Sequence, residues 1–137
     1  MKKLLLFLLP FTALSQSNNT EIQLEFVKLL NEYRAENGLD PVVLDERSIY
    51  RAKLQAEYCS KIEDLTHDCP AWFPLRLAEC ALWNMDDPGA ESYLLQWIDS
   101  PDHNDLLLLD EATRIGIYYT PGVLEGDNGY YAVLVIN

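Results

Sequence analysis

Apolar residues in the first third of the chain recur at helical spacing. Ile22, Phe26, Leu29, Leu30 and Tyr33 share one face of a 3.6-residue turn, which predicts a helix with a single buried stripe. Thr20, followed by Gln23, reads as its N-terminal cap, and Asn37-Gly38 as its end. Pro41-Val-Val-Leu44 is a short extended connector. A second helix follows Asp45 and runs to about Ile62, with Ile49, Ala52, Ala56 and Cys59 on its inner face. The alanines there imply that a neighbour packs closely. Residues 64–86 lack a clear period; a strand or loop around His67 and a turn through Pro70 and Pro74 are expected. Asp87-Pro88 opens a third helix, which continues through Tyr93, Leu94 and Trp97 until Pro101 stops it. A turn or short helix then carries His103 and the run Leu106 to Leu109.

The pattern changes to alternation near the end of the chain. Ile115, Ile117 and Tyr119 fall on one face of an extended Arg114–Thr120 segment. Tyr130 to Ile136 is apolar almost throughout, as in a strand covered on both faces. Pro121, Gly122 and Asp127-Asn-Gly129 are turn residues and supply the loop of the expected hairpin. Helices first and strands last give an α+β class, with helices on both sides of a small sheet.

A length of 137 residues allows one domain. Residues 1–15 read as a secretory signal: Lys2 and Lys3 are the basic start, Leu4 to Leu9 the apolar run, and Ala13-Leu-Ser15 the cleavage site. No cysteine stands at that site for lipid attachment, and neither this run nor a later one is long enough to span a bilayer. The expected mature domain is residues 16–137. Without Lys2 and Lys3 the 10 basic side chains fall to 8 against 22 acidic ones, about −14. Such a surface excludes nucleic acid and anionic membranes as partners; it also keeps a secreted protein soluble without further purpose.

Export to an oxidising compartment favours one disulfide among Cys59, Cys69 and Cys80. A Cys69–Cys80 bridge would close a loop of about a dozen residues and contribute about 3 kcal/mol. Cys59 is then a buried leftover, and Cys59–Cys80 is the other pairing considered.

The chain has only two histidines, His67 and His103, with Glu79 between them. Two imidazoles hold zinc at about 2.0–2.1 Å with positions left for water or a carboxylate. Glu79 has three candidate roles: ligand, orienting partner of a histidine, or general base. The structural alternative is a hydrogen-bonded network that ties helices to the sheet. Ser100 beside His103 suggests a nucleophile, but it precedes Pro101 and no oxyanion motif accompanies it, so capping or turn stabilisation is expected. Tyr118, Tyr119, Tyr130, Tyr131, Trp72 and Trp83 suggest an aromatic groove for a lipid, glycan or peptide, against the commoner role of strand packing.

These segments, in this order, resemble the CAP superfamily of cysteine-rich secretory, antigen 5 and pathogenesis-related proteins, in its short bacterial secreted form (the SCP domain). The resemblance spans Leu29-Leu-Asn-Glu-Tyr-Arg34 to Tyr130-Tyr-Ala-Val-Leu-Val135. His67 matches the first family histidine, Ala78-Glu79-Cys80 the Gly-Glu-Asn signature, and Trp97-Ile-Asp-Ser-Pro-Asp-His103 the bacterial helix-to-histidine motif. It implies an α-β-α sandwich around a small, mainly antiparallel sheet. It also implies a cleft of two histidines and two acids that binds a divalent metal in some members. His67, Glu79 and His103 fill three of those places; the fourth, an acid in the family, falls on Ser100, with Asp99 adjacent. Cys80 stands where the signature has asparagine.

The expected protein is therefore a secreted, monomeric binding module for an extracellular lipid, glycan or peptide. Its metal ligands are His67, His103 and Glu79, for zinc or magnesium, with Ser100 and Asp99 behind them. Two alternatives stand beside it: a metal-assisted hydrolase of peptide or envelope polymer with Glu79 as base, and a lipid- or sterol-binding protein.

Overall fold

The apolar patterns resolve into two helical layers with a sheet between them. A computed structural model describes residues 11–70 and 77–137. In chain order the elements are α1 (Phe11–Glu36), β1 (Val43–Leu44), α2 (Glu46–Ile62), β2 (Ala78–Asn84), α3 (Ala90–Ile98), α4 (Pro101–Leu107), β3 (Arg114–Leu124) and β4 (Asp127–Ile136). The strands lie in the order β1-β3-β4-β2. β1 runs parallel to β3, while β3–β4 and β4–β2 are antiparallel. The α+β sandwich expected from the sequence is the fold observed.

Strand alternation assigns each side chain to a layer. Ile115, Ile117 and Tyr119 of β3, Leu134 and Ile136 of β4, and Cys80 and Leu82 of β2 meet Phe26 and Leu30 of α1 and Tyr93 and Trp97 of α3. Phe26 and Trp97 pack edge to face at 5.7 Å, and both are buried. On the other face, Ala81, Val133 and Val135 meet Ala52 and Ala56 of α2. The small α2 residues thus bring that helix close to the sheet.

Several boundaries differ from the sequence expectation. α1 starts at Phe11, so Thr20 lies within the helix; neither Gly nor Pro interrupts the chain between Phe11 and Glu36. Residues 11–15 of the expected signal are the first turns of α1, and residues 1–10 lie outside the described residues, as do Trp72, Phe73 and Pro74. α3 begins at Ala90 after Gly89 rather than at Asp87-Pro88, and Pro101 starts α4 as well as ending α3. β2 was not expected: Glu79 and Cys80 are strand residues. The hairpin strands continue past Pro121 and Gly129 to a two-residue turn at Glu125-Gly126, with φ of 51° and 88°.

β1 covers only Arg114 and Ile115 of β3, and side chains from α1 satisfy part of the remaining edge. Asn19 Nδ2 donates to the Tyr119 carbonyl at 3.1 Å while Asn19 Oδ1 accepts the Tyr119 N–H at 3.0 Å. Gln23 Nε2 donates to the Ile117 carbonyl at 3.0 Å. These contacts blunt an edge that another strand would otherwise pair with.

Burial also sets a pH limit. It raises the Cys80 thiol to about 12, with help from the Glu79 charge. It raises the phenols of Tyr93, Tyr118, Tyr119 and Tyr131 as well. These acids ionise first in the unfolded chain, so their contribution is complete below about pH 9 and is lost as pH rises through the folded values. The melting temperature is expected to fall steadily between about pH 9 and 12, and less steeply in Cys80→Ala. Equal slopes for the two proteins would show that Cys80 is not one of the responsible groups.

Candidate functional site

The site is built from α2, the loop after it and β2. α2 begins at Asp45, whose carboxylate accepts the Ser48 N–H at 3.0 Å. It ends at Glu63 in the left-handed region, where the Asp64 N–H returns to the Cys59 carbonyl at 3.2 Å. The next residues fold back onto the helix. Gln55 donates to the Thr66 carbonyl and accepts the Cys69 N–H at 3.1 Å. It therefore brackets His67 from both sides. The Cys59 thiol adds a bond to the same Thr66 carbonyl at 3.3 Å.

Glu79 projects from β2 toward α2, since it alternates with Cys80 and lies two residues from Ala81. Its Oε1 is 2.8 Å from His67 Nδ1, and the carboxylate is only 3% exposed while the imidazole is 50% exposed. A carboxylate beside Nδ1 accepts its N–H and sets the orientation of the ring. Glu79 Oε2 lies 3.8 Å from Arg51 Nη2, and Arg51 donates to Gln55 Oε1 at 3.3 Å. Arg51 and Gln55 are both buried. The buried charges are thus opposed in sign and linked in one chain of contacts: Gln55, Arg51, Glu79, His67.

His103 is held separately. It sits on α4, which packs against β2, and its Nδ1 is 2.9 Å from Ser100 Oγ. Ser100 occupies the N-cap position of α4 but makes no side-chain capping bond; its hydroxyl is used on His103 instead. Asp99 is exposed at the end of α3. On the next residue, Asn104, the side chain accepts the Tyr33 hydroxyl at 2.7 Å and ties α4 to α1. The structure therefore joins His67 to Glu79, and His103 to Ser100. Among the described residues no group of three or more His, Cys, Asp or Glu is arranged to hold a metal ion.

Two residues of this site were not anticipated, Arg51 and Gln55. Their signal was four-residue spacing on the buried α2 stripe, where Ser48, Arg51 and Gln55 interleave with Ala52, Ala56 and Cys59. The expected Cys69–Cys80 bridge is not formed: Cys59, Cys69 and Cys80 are all free. Cys80 points into the α1–α3 core, opposite Glu79, whereas the Cys69 backbone is bound to Gln55 on the α2 side. The expected aromatic groove is also divided. Tyr119 and Tyr130 pack together at 6.0 Å on the α1–α3 side, while Tyr118 packs on the α2 side. Trp83 Nε1 donates to the Gly122 carbonyl at 3.2 Å, and Trp72 lies outside the described residues.

None of the described helices is long and apolar enough to cross a membrane. Comparison with known proteins matches residues 27–136 to the model of the CAP family, described as the cysteine-rich secretory protein family. Among solved structures the chain is similar to an outer surface protein of Borrelia burgdorferi, with 17% identity, a TM-score of 0.64, and 85% of this chain and 92% of that one covered. It is also similar to an extracellular protein of Bacillus anthracis containing an SCP domain, at 15% identity and a TM-score of 0.70, covering 94% of this chain but 44% of that one. A cysteine-rich secretory protein of Staphylococcus aureus matches at 15% identity and a TM-score of 0.60, with 86% and 38% covered. No curated protein matches the sequence.

Proposed function

This chain belongs to the CAP (cysteine-rich secretory protein) family, and from that premise we propose that it is an exported binding module whose handles are the two imidazoles. The observation that carries this reading is the 2.8 Å contact from a 3%-exposed carboxylate to a half-exposed imidazole. Glu79 orients the His67 ring through Nδ1. Ser100 does the same for His103 through Nδ1. The extracellular and outer-surface settings of the structural relatives accord with export.

A divalent cation such as zinc is the simplest ligand for two imidazoles. Arg51, 3.8 Å from Glu79, already supplies that carboxylate with a positive charge, which limits affinity for a second cation. It also directs Glu79 toward positioning and away from proton abstraction, because a base must reach a solvent-facing water. Binding is therefore favoured over hydrolysis.

Calorimetric zinc titration of the full chain tests the reading. Saturable binding is expected, lost in His67→Ala and in His103→Ala, and weakened about 10–100-fold in Glu79→Gln. No heat with the native chain would remove the metal from the proposal. Undiminished binding in His103→Ala would restrict the site to His67.

A further inference from the structure

We infer that Cys59 and Cys69 join in a disulfide under oxidising conditions, and that this bond pins the loop carrying His67 to α2. The pair differs from the one expected from the sequence, and the sheet decides between them. Cys80 lies in the core on the α1–α3 side. Cys59 belongs to α2, and the Cys69 backbone is bound to α2. Of the three cysteines, these two share a side of the sheet.

One side chain holds them together. Gln55 stands one turn before Cys59 on the buried stripe of α2. Its amide oxygen accepts the Cys69 N–H at 3.1 Å, and its amide nitrogen lies 3.6 Å from the Cys59 sulfur. The two cysteines therefore flank the two ends of a single planar amide. The Cys59 thiol also reaches the Thr66 carbonyl at 3.3 Å, so its sulfur already faces the returning loop.

That loop lacks apolar anchorage. None of residues 61–70 is buried, and Leu65 is 40% exposed. Polar contacts to Gln55, Cys59 and Glu79 hold it, and segments held in this way open locally at small cost. A covalent link across so short a ring removes most of that freedom.

The oxidant is a small-molecule disulfide. It reaches part-exposed Cys69 first, because Cys59 is 0% exposed. The Cys69 thiolate attacks one sulfur of the oxidant, whose S–S bond breaks to release one thiol. The Cys59 thiolate then attacks the Cys69 sulfur of the mixed disulfide and expels the second. Two electrons pass from the cysteine pair to the oxidant, and the two protons shed by the cysteines are taken up by the departing thiolates.

The test treats the reduced, folded full chain with oxidised glutathione, blocks the remaining thiols with iodoacetamide in denaturant, and maps a tryptic digest. Cleavage after Lys53, Lys61, Arg76 and Arg114 places Cys59, Cys69 and Cys80 on separate peptides. A linked pair of peptides 54–61 and 62–76 is expected, with Cys80 alkylated. The oxidised protein is expected to melt about 5 °C or more higher, with amide exchange at His67 and Asp68 slowed at least about tenfold. Both changes are expected to vanish in Cys69→Ser. A bridge to Cys80, glutathione retained on Cys69, or no oxidation overturns the pairing. A Cys59–Cys69 bond that leaves exchange at His67 and Asp68 unchanged overturns its hold on the loop. No readout involves zinc, so the inference stands or falls apart from the metal reading.

Discussion

Gly116→Ala is expected to lower stability by more than about 4 kcal/mol, a fall in Tm of about 15 °C or more. A Cβ at this position would lie 2.0 Å from the Ile49 nitrogen and 2.1 Å from the Ser48 carbonyl carbon. Both are backbone atoms of the first turns of α2, so no flexible side chain is available to yield. Nor is the helix free to retreat. The Asp45 N–H is bound to the Ile115 carbonyl at 2.9 Å. Ser48 Oγ donates to Asp45 Oδ2 at 2.9 Å and accepts Asn137 Nδ2 at 2.8 Å. A matched comparison is Gly38→Ala, where the added methyl meets nothing within 4 Å and only φ of +73° opposes it; about 1 kcal/mol is expected there. Thermal unfolding followed by circular dichroism measures both. A Gly116→Ala protein melting within a few degrees of the native one would mean that α2 slides easily over β3.

The same close approach governs the site. Arg51 and Gln55 stand one and two turns beyond Ser48 on the buried α2 stripe, so the depth at which Gly116 admits the helix sets how near Arg51 comes to Glu79. The histidine site therefore depends on a glycine in a strand that carries no functional side chain.

What was legible in the sequence follows from periodicity. α2 and α3 were recognisable because their apolar residues repeat at helical spacing, and β4 because Tyr130 to Ile136 is covered on both faces. β2 escaped notice because Ala-Glu-Cys-Ala-Leu-Trp-Asn is buried on both faces yet built partly from small residues, without alternation or a β-branched run. The hairpin turn was misplaced because Gly122 and Gly129 serve packing rather than turning. They pair across the strands, and a Cβ on either would collide with Tyr131 or with the Trp83 ring. Glu125 carries no turn signature, and its positive φ is specified by the strands on either side. The His67–Glu79 pairing was accessible through motif resemblance. The roles of Arg51 and Gln55 were not, since charged and amide residues on a helix ordinarily face solvent.

Arg34 makes the same point at larger energetic scale, and Arg34→Met is expected to cost about 3–5 kcal/mol. The residue continues the α1 stripe four positions after Leu30 and is fully buried. Its Nε donates to the Asp40 carbonyl at 2.9 Å, and Nη1 to the carbonyls of Leu107 and Leu109 at 2.9 and 3.0 Å. Burial lowers the guanidinium from its ordinary value, partly offset by Asp110 and Asp40. Methionine fills a similar volume but takes the donor from three carbonyls, the bond to Leu107 being buried and those to Asp40 and Leu109 part-buried. Lysine restores the charge without the planar fork, since one ammonium does not reproduce divergent bonds to both loops; Arg34→Lys is expected to recover less than half of the loss. Because two of those carbonyls belong to the end of α4 and the residues just after it, the change should also loosen the helix that carries His103. The His103 ring resonances in a heteronuclear NMR spectrum are therefore expected to broaden or shift in Arg34→Met at temperatures well below its melting point, while those of His67, held by Gln55 and Glu79, stay in place. Sharp, unmoved His103 signals in a destabilised Arg34→Met protein would separate the stability of α1 from the placement of α4 and show that Arg34 supports only the former.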